Sequence, residues 1–327
     1  MMKILVTGGS GFIGSALVRS LLEHGYEVRV LDNHRRGMPH RLADISGDIE
    51  LIEADVRRAD EVTRAAEGVD IVAHLAALNG TENFYNHPQE VLDIGVRGML
   101  AVMDACQANG IGRLIVASSS EVYQSPPVIP TPETVPMVIP DNQNPRYSYA
   151  GSKLISELIA LNYGKAMDQV TLFRPHNVYG PDMGWEHVLP QLVERAVEHC
   201  QKHPSGTVPF EIQGDGSQTR AFNYISDAVD GIITIIEHGR HRETYHVGTN
   251  EELTIAEVAR LLFGTLGREM TLVPGPMPEG QTLRRCPDIT KVQQLGYTPK
   301  VPFEAGLKPT VDWYKAEVEQ RLATPSV

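Results

Sequence analysis

The chain of 327 residues contains only three cysteines, Cys106, Cys200 and Cys286, and no two of them stand at metal-ligand spacing. Odd in number and far apart, they supply neither a disulfide framework nor a metal site, and such usage fits a reducing, cytoplasmic setting. No apolar run reaches bilayer-spanning length, and Met1-Met2-Lys3 leads straight into a strand pattern. Neither a transmembrane segment nor a signal peptide is therefore expected. Positive charge is also scarce, with 29 Lys+Arg against 41 Asp+Glu and a net charge of −12. That balance argues against nucleic acid or a membrane surface as partner. It leaves room for a small anionic ligand, because local arginines dominate within a Debye length of about 8–10 Å. Internal repeats and low-complexity tracts are missing as well. The 42% hydrophobic content is that of a globular protein. The length allows two modest domains, or one large α/β domain with an extension.

Strand-like apolar runs at 3–7, 26–31, 49–53, 71–75, 114–118 and 170–174 alternate with helices or loops. This β-α alternation predicts a parallel, doubly wound (Rossmann) sheet with right-handed crossovers. The first helix carries Phe12, Ile13, Ala16, Leu17 and Leu21 on one face and stops at Gly25. Residues 125–147, rich in proline and polar side chains, read as a surface loop near the mouth of a site. Residues 149–166 read as a helix. Loops, prolines and short elements dominate 176–222; helix returns at 223–238, followed by a further sheet strand at 244–247. Helices are expected at 255–266 and 303–322. The division that follows is a Rossmann domain of 1–175 plus 223–249, and a smaller mixed α/β substrate domain of 176–222 plus 250–327.

Gly8, Gly11 and Gly14 follow the first strand at G-x-x-G-x-x-G spacing. The first permits the tight turn, the second lets backbone approach a pyrophosphate, and the third lets the helix pack on the sheet. The helix N-terminus then faces the phosphates with free N–H groups. Asp32, after the second strand, can accept both hydroxyls of an adenosine ribose and repels a 2′-phosphate, which favours NAD over NADP. Arg35 and Arg36 follow closely and are the residues that would salvage a 2′-phosphate. Asp55, with Val56, has the placement of an adenine contact, or equally of a loop aspartate capping the next helix.

Tyr149 and Lys153 are four positions apart on a predicted helix and share a face. An ammonium and an oxidised nicotinamide both favour a phenolate, which can take a proton from a sugar hydroxyl as hydride leaves the same carbon. Tyr147 lacks such a partner, since position 151 is glycine. The strand at 114–118 runs into Ser119-Ser120-Glu121-Val122-Tyr123, at the strand end where ligands bind. Ser119 or Ser120 can share the substrate proton with Tyr149. Glu121, if buried beside a sugar ring, would have a raised pKa and serve as a base on a ring C–H; the plainer alternative is a structural cap or ion pair.

These motifs, with His74-Leu75-Ala76-Ala77, Arg174-Pro175-His176-Asn177-Val178-Tyr179-Gly180-Pro181, Gly214-Asp215-Gly216 with Arg220, and Pro287-Asp288-Ile289, make the chain resemble extended short-chain dehydrogenases/reductases of the nucleotide-sugar epimerase/dehydratase group. The resemblance spans essentially the whole chain. It implies NAD contacts from Gly8, Gly11, Phe12, Ile13, Gly14, Asp32, Asn33, Asp55, Val56, Leu75, Ala76, Ala77, Tyr149, Lys153 and His176. It places Ser119 on the group's catalytic Ser/Thr and matches Glu121 to the glutamate of 4,6-dehydratases and uronate decarboxylases. It implies that Asn177, Arg220 and Arg285, and less surely Arg284, touch a nucleotide diphosphate. It also implies a homodimer built on helices near 91–109 and 149–166. His176, Gln124 and Gly95 depart from the group's usual phenylalanine, glycine and asparagine, while 79–84 and 185–187 match no substrate pattern.

The expected enzyme is an NAD-dependent 4-epimerase that deprotonates O4 through Tyr149, forms a transient 4-keto nucleotide sugar and returns hydride internally. Alternatives are a 4,6-dehydratase or uronate decarboxylase using Glu121, an NADP-dependent reductase, and a non-catalytic NAD-binding sensor. No metal is expected.

Overall fold

The computed structural model describes residues 1–276 and 282–323. Seven parallel strands form one sheet in the order Glu243–Val247, Gln169–Pro175, Arg113–Ala117, Ile71–His74, Lys3–Thr7, Glu27–Asp32 and Ile49–Glu53. The chain begins at the middle, builds out to one edge, then crosses back and builds to the other. That reversal opens a crevice beyond the carboxyl ends of Lys3–Thr7 and Ile71–His74, where ligands of doubly wound sheets sit. Ile4, Leu5 and Val6 are completely buried, because helices cover both faces and leave no alternating wet side.

Helices Phe12–Glu23 and Ile225–His238 cover one face, contributing Leu17, Leu21, Ile232 and Ile236. Ala59–Ala65, Gly98–Asn109 and Ser148–Tyr163 cover the other with Val62, Val102 and Ala160. A third cluster joins Val188–Lys202, Val208–Gln213, Ile255–Thr265 and Phe303–Ala323 around Val193, Phe210, Phe263 and Tyr314.

Two departures from expectation have clear causes. Residues 176–222 hold a fifteen-residue helix, Val188–Lys202, rather than mainly loops and short elements. Its buried Leu189, Leu192, Val193, Ala196 and Val197 recur at helical spacing. Pro190 lies in its first turn, where a missing N–H costs nothing. Ile289, Val292 and Tyr297 pack into the first cluster beside the large sheet instead of with the third. The expected region 250–327 also includes 277–281 and 324–327, which lie outside the described residues. Among the described residues no helix is long and apolar enough to cross a membrane.

Candidate active site

The second strand ends on Asp32, whose buried carboxylate accepts from the N–H of Ser10 at 3.0 Å and of His34 at 2.8 Å. The acid is thereby fixed beside the glycine loop. Gly8, at φ +74°, turns so closely under the next crossover that a Cβ would lie 2.9 Å from the Ala76 backbone; one on Gly14 would overlap the Gly8 carbonyl oxygen. Leu75, Ala76 and Ala77 therefore lie against the glycine loop. Phe12 and Ile13 open the helix, and no side chain caps its N-terminus. A concave backbone, free N–H groups and a fixed carboxylate fit a dinucleotide. Arg35 is turned to Glu90, and Arg36 to Glu186 and the Asn79 carbonyl oxygen. Both guanidinium groups thus have carboxylate partners. Asp55 is held by Arg57 at 2.5 Å, by the Arg57 N–H at 2.9 Å and by Asn33 at 3.3 Å. These contacts fold a turn at Asp55; the helix that follows has Arg58 at its N-cap and no side-chain cap, so Asp55 does not cap it, and Val56 is buried in the core.

Ser148–Tyr163 positions Tyr149 and Lys153, both buried. The lysine Nζ donates to the Ala117 carbonyl oxygen at 2.6 Å and lies 5.9 Å from the Tyr149 ring centre. Sequence reasoning expected the ammonium to draw the phenol pKa down. In the fold, burial dominates and pushes Tyr149 up to about 12, against the pull of the Ser119 hydroxyl and Arg36. Burial also lowers Lys153 to about 8, opposed by the Glu157 carboxylate. Ser119 stands beside Tyr149 and accepts from the Glu121 N–H at 3.2 Å, capping the short helix Ser120–Tyr123. Ser120 is buried at the start of that helix.

Glu121 corrects another expectation. Its pKa is lowered, not raised, chiefly by the charge of Arg285, with Arg146 and Arg220 adding to the pull. Arg285 Nη1 donates to Glu121 Oε1 at 2.5 Å. Strand pairing sets Arg285 directly beside Arg220, and burial together with Arg285 lowers Arg220 to about 10. Two adjoining guanidinium groups, only one of them paired directly with the Glu121 carboxylate, suit an anionic ligand. Arg284 is instead tied to Glu252 at 2.7 Å, away from this pair. Asn177, at φ +39°, donates its side-chain N–H to the Ala221 carbonyl oxygen at 3.1 Å.

His176 is buried 4.7 Å from the His246 ring, and among the described residues neither of its nitrogens has a hydrogen-bond partner. Burial holds it neutral, so it offers no cationic charge to a phosphate. His187 is likewise lowered by burial and by Arg36. Behind the site, Arg174 pairs with Glu157 at 2.6 Å, and Ser118 donates to Glu157 at 2.5 Å. Two neighbours escaped sequence reasoning. Phe84 stacks flat on Tyr149, 5.0 Å between ring centres and 12° between planes. Arg146, just before the catalytic-type helix, acts on Glu121. No spacing rule links either to its target, because the approach is tertiary.

A doubly wound sheet, a dinucleotide cradle and a Tyr–Lys–Ser cluster at its mouth define an NAD-dependent enzyme of sugar-nucleotide type. The chain belongs to the NAD dependent epimerase/dehydratase family, whose match runs over residues 4–248. It is 30% identical to UDP-N-acetyl-alpha-D-glucosaminuronate decarboxylase of Bacillus cytotoxicus, over 97% of this chain and 98% of that one. Its fold matches the UDP-glucose 4-epimerase of Thermotoga maritima, solved with UDP-glucose, at a TM-score of 0.85 and 28% identity, covering 97% and 100% of the two chains. It matches the dTDP-glucose 4,6-dehydratase DesIV of Streptomyces venezuelae, solved with NAD, at 0.83 and 32% identity, covering 98% of each. These relatives start from nucleotide sugars and diverge in the reaction that follows.

Proposed function

We propose that this enzyme oxidises C4 of a nucleotide-diphosphate uronate and uses the resulting 4-keto group to release C6 as carbon dioxide. The observation that carries the reading is the Glu121–Arg285 pair next to Tyr149, with Arg220 and Arg146 around it. A 4-epimerase on a neutral hexose needs only proton and hydride transfer at C4 and rotation of the ketone. It has no use for an arginine-held carboxylate at the sugar.

In this reading Tyr149 takes the O4 proton, Ser119 orients the hydroxyl, and Lys153 holds positive charge below the phenol. NAD, which the glycine loop and Asp32 would hold, would supply the hydride acceptor for C4 and, once carbon dioxide has left, the hydride that goes back to C4, so that the cofactor ends oxidised. The ketone at C4 is β to the substrate carboxylate. The C5–C6 bond then breaks, its electron pair moving toward the C4 oxygen, and carbon dioxide leaves. A solvent proton closes the valence at C5. Arg285 steers the carboxylate while Glu121 holds the guanidinium in place, and Arg220 faces the diphosphate. Arg220 comes to this site from the 176–222 segment and Arg285 from the 250–327 segment. Leu92, Ile155, Leu158 and Tyr163, apolar and exposed on the helices named for dimerisation, support the homodimer.

A second reading, 4-epimerisation, is favoured by the fold match to the Thermotoga maritima enzyme. Incubation of the purified enzyme with nucleotide uronates and nucleotide hexoses in heavy water, followed by mass spectrometry, separates the readings. Loss of carbon dioxide with one deuterium gained supports decarboxylation. An isobaric, undeuterated product from a hexose with no turnover of uronates overturns it for epimerisation. Loss of water with deuterium gained overturns it for dehydration.

A further inference from the structure

The loop after Asp32 sends Arg36 across the crevice to two segments that share no secondary structure. One Nη donates to the Asn79 carbonyl oxygen and the other to Glu186 at 2.9 Å. The same Asn79 oxygen accepts from Asn83 Nδ2 at 2.9 Å, at the entry to the short helix Thr81–Asn86. Phe84 stands on that helix and lies flat on Tyr149. The guanidinium has a shaped seat. A Cβ on Gly80 would lie 3.2 Å from Arg36 Nη1, and one on Gly184 would lie 3.5 Å from Nη2 and 3.2 Å from Glu186. Both glycines have positive φ, +111° and +94°, which side chains rarely adopt. The neighbouring contact follows the same direction: Arg41 grips Asp182 through Nε at 2.7 Å and Nη2 at 2.8 Å.

We propose that Arg36 is a positioning residue for Tyr149, binding the cofactor-side loop, the Asn79–Phe84 turn and the Glu186 segment into one joint that holds Phe84 against the phenol ring. A fixed ring has a fixed distance to its proton partner, and a small misplacement costs rate steeply. The joint also brings a cation within reach of the phenol. The charged and titratable groups facing Tyr149 are Arg36 from this loop, Ser119 and Glu121 from the serine turn, and Lys153 from its own helix. His74 lies beyond, next to Lys153 and lowered to about 3. Arg36 pulls the phenol down and Glu121 pushes it up.

The inference rests on Tyr149 as the base, but direct titration of Tyr149 tests it whichever sugar reaction follows. Holoenzyme labelled at the tyrosine phenol carbon and ring protons is followed by NMR against pH, with the Tyr149 signals identified by their loss in Tyr149→Phe. Arg36→Met is expected to raise the Tyr149 midpoint, and Glu186→Gln, which leaves Arg36 unneutralised, to lower it. Arg36→Met is also expected to move the Tyr149 ring-proton shifts in the same direction as Phe84→Leu, since the one loosens the hold on the stacked Phe84 ring and the other deletes that ring. Should Arg36→Met fail to fold, Glu186→Gln and Arg36→Lys carry the test, the lysine keeping the midpoint but not the ring shift. Unchanged midpoint and ring shifts in Arg36→Met, or displacement of the midpoint in the same direction by Arg36→Met and Glu186→Gln, would overturn the proposal. So would a midpoint in Glu186→Gln that stays put or rises.

Discussion

Arg285 and Glu121 are 164 positions apart in the chain and 2.5 Å apart in the fold, Nη1 to Oε1. The arginine's charge holds the glutamate's pKa down, and the glutamate in turn acts on Tyr149. Glu121→Gln and Arg285→Met are each expected to lower turnover of a nucleotide uronate by about 10²-fold or more, read from steady-state product formation. Since Arg285 holds the Glu121 pKa down, its removal should also shift the acid limb of activity to higher pH. An unmoved limb would mean that Glu121 does not titrate in the reaction.

Tyr149→Phe should lower turnover by at least about 10²-fold while leaving the melting temperature near that of the parent, because the ring that packs in the core and stacks on Phe84 is kept. The phenol is held up at about 12 and the lysine down at about 8 by burial. Activity that needs the Lys153 ammonium therefore declines as pH passes about 8, before the ordinary range of a lysine. A pH–rate profile of the holoenzyme checks the position of that decline.

Gly37→Ala should deplete bound NAD. A Cβ there would collide with Ser10 Oγ and lie 2.8 Å from both carboxylate oxygens of Asp32, displacing the acid from its place by the glycine loop. The ratio of nucleotide to protein after purification reports it, and a full complement of NAD would contradict the assignment of Asp32.

His74 and His246 are buried and neutral, each lowered to about 3 from 6.5, and His176 is lowered too. Below 6.5 the unfolded chain binds protons that the folded chain refuses, so stability falls as pH drops from 6.5 toward 3. Each such histidine contributes a slope of about 1.4 kcal/mol per pH unit across that window. Denaturant unfolding from pH 7 to pH 4 should show the decline, and His246→Asn should reduce it.

Breaking the buried Glu157–Arg174 pair by Glu157→Gln should cost about 3–5 kcal/mol in urea unfolding, because the guanidinium is left buried without its counter-charge. Lys153 also loses the carboxylate that supports its charge. The same variant should therefore move the alkaline decline of activity to lower pH.

Local pattern made much of this protein legible. The strands at 3–7 and 49–53 have the same ends in sequence and structure, and the ends of the others shift by at most one residue. Tyr149, Lys153, Ser119 and Asp32 were found because a helical turn, a strand end and a glycine spacing are local facts. The state of those groups was not local. Glu121 was expected to have a raised pKa if buried by a sugar, yet Arg285, Arg220 and Arg146 come to it from three other segments and reverse the sign. Arg284 looked much like Arg285 until strand pairing sent the one toward Glu252 and the other toward Glu121.

The sequence by itself determined the doubly wound sheet, the nucleotide cradle and the identity of the tyrosine–lysine pair, since periodicity and short spacings are written within single elements. Only the tertiary structure decided which charges oppose one another, that Phe84 lies on Tyr149, and that Arg36 joins three segments around it. Electrostatic and packing energies depend on distances through space, and those distances are set by how the elements dock on one another rather than by their order along the chain.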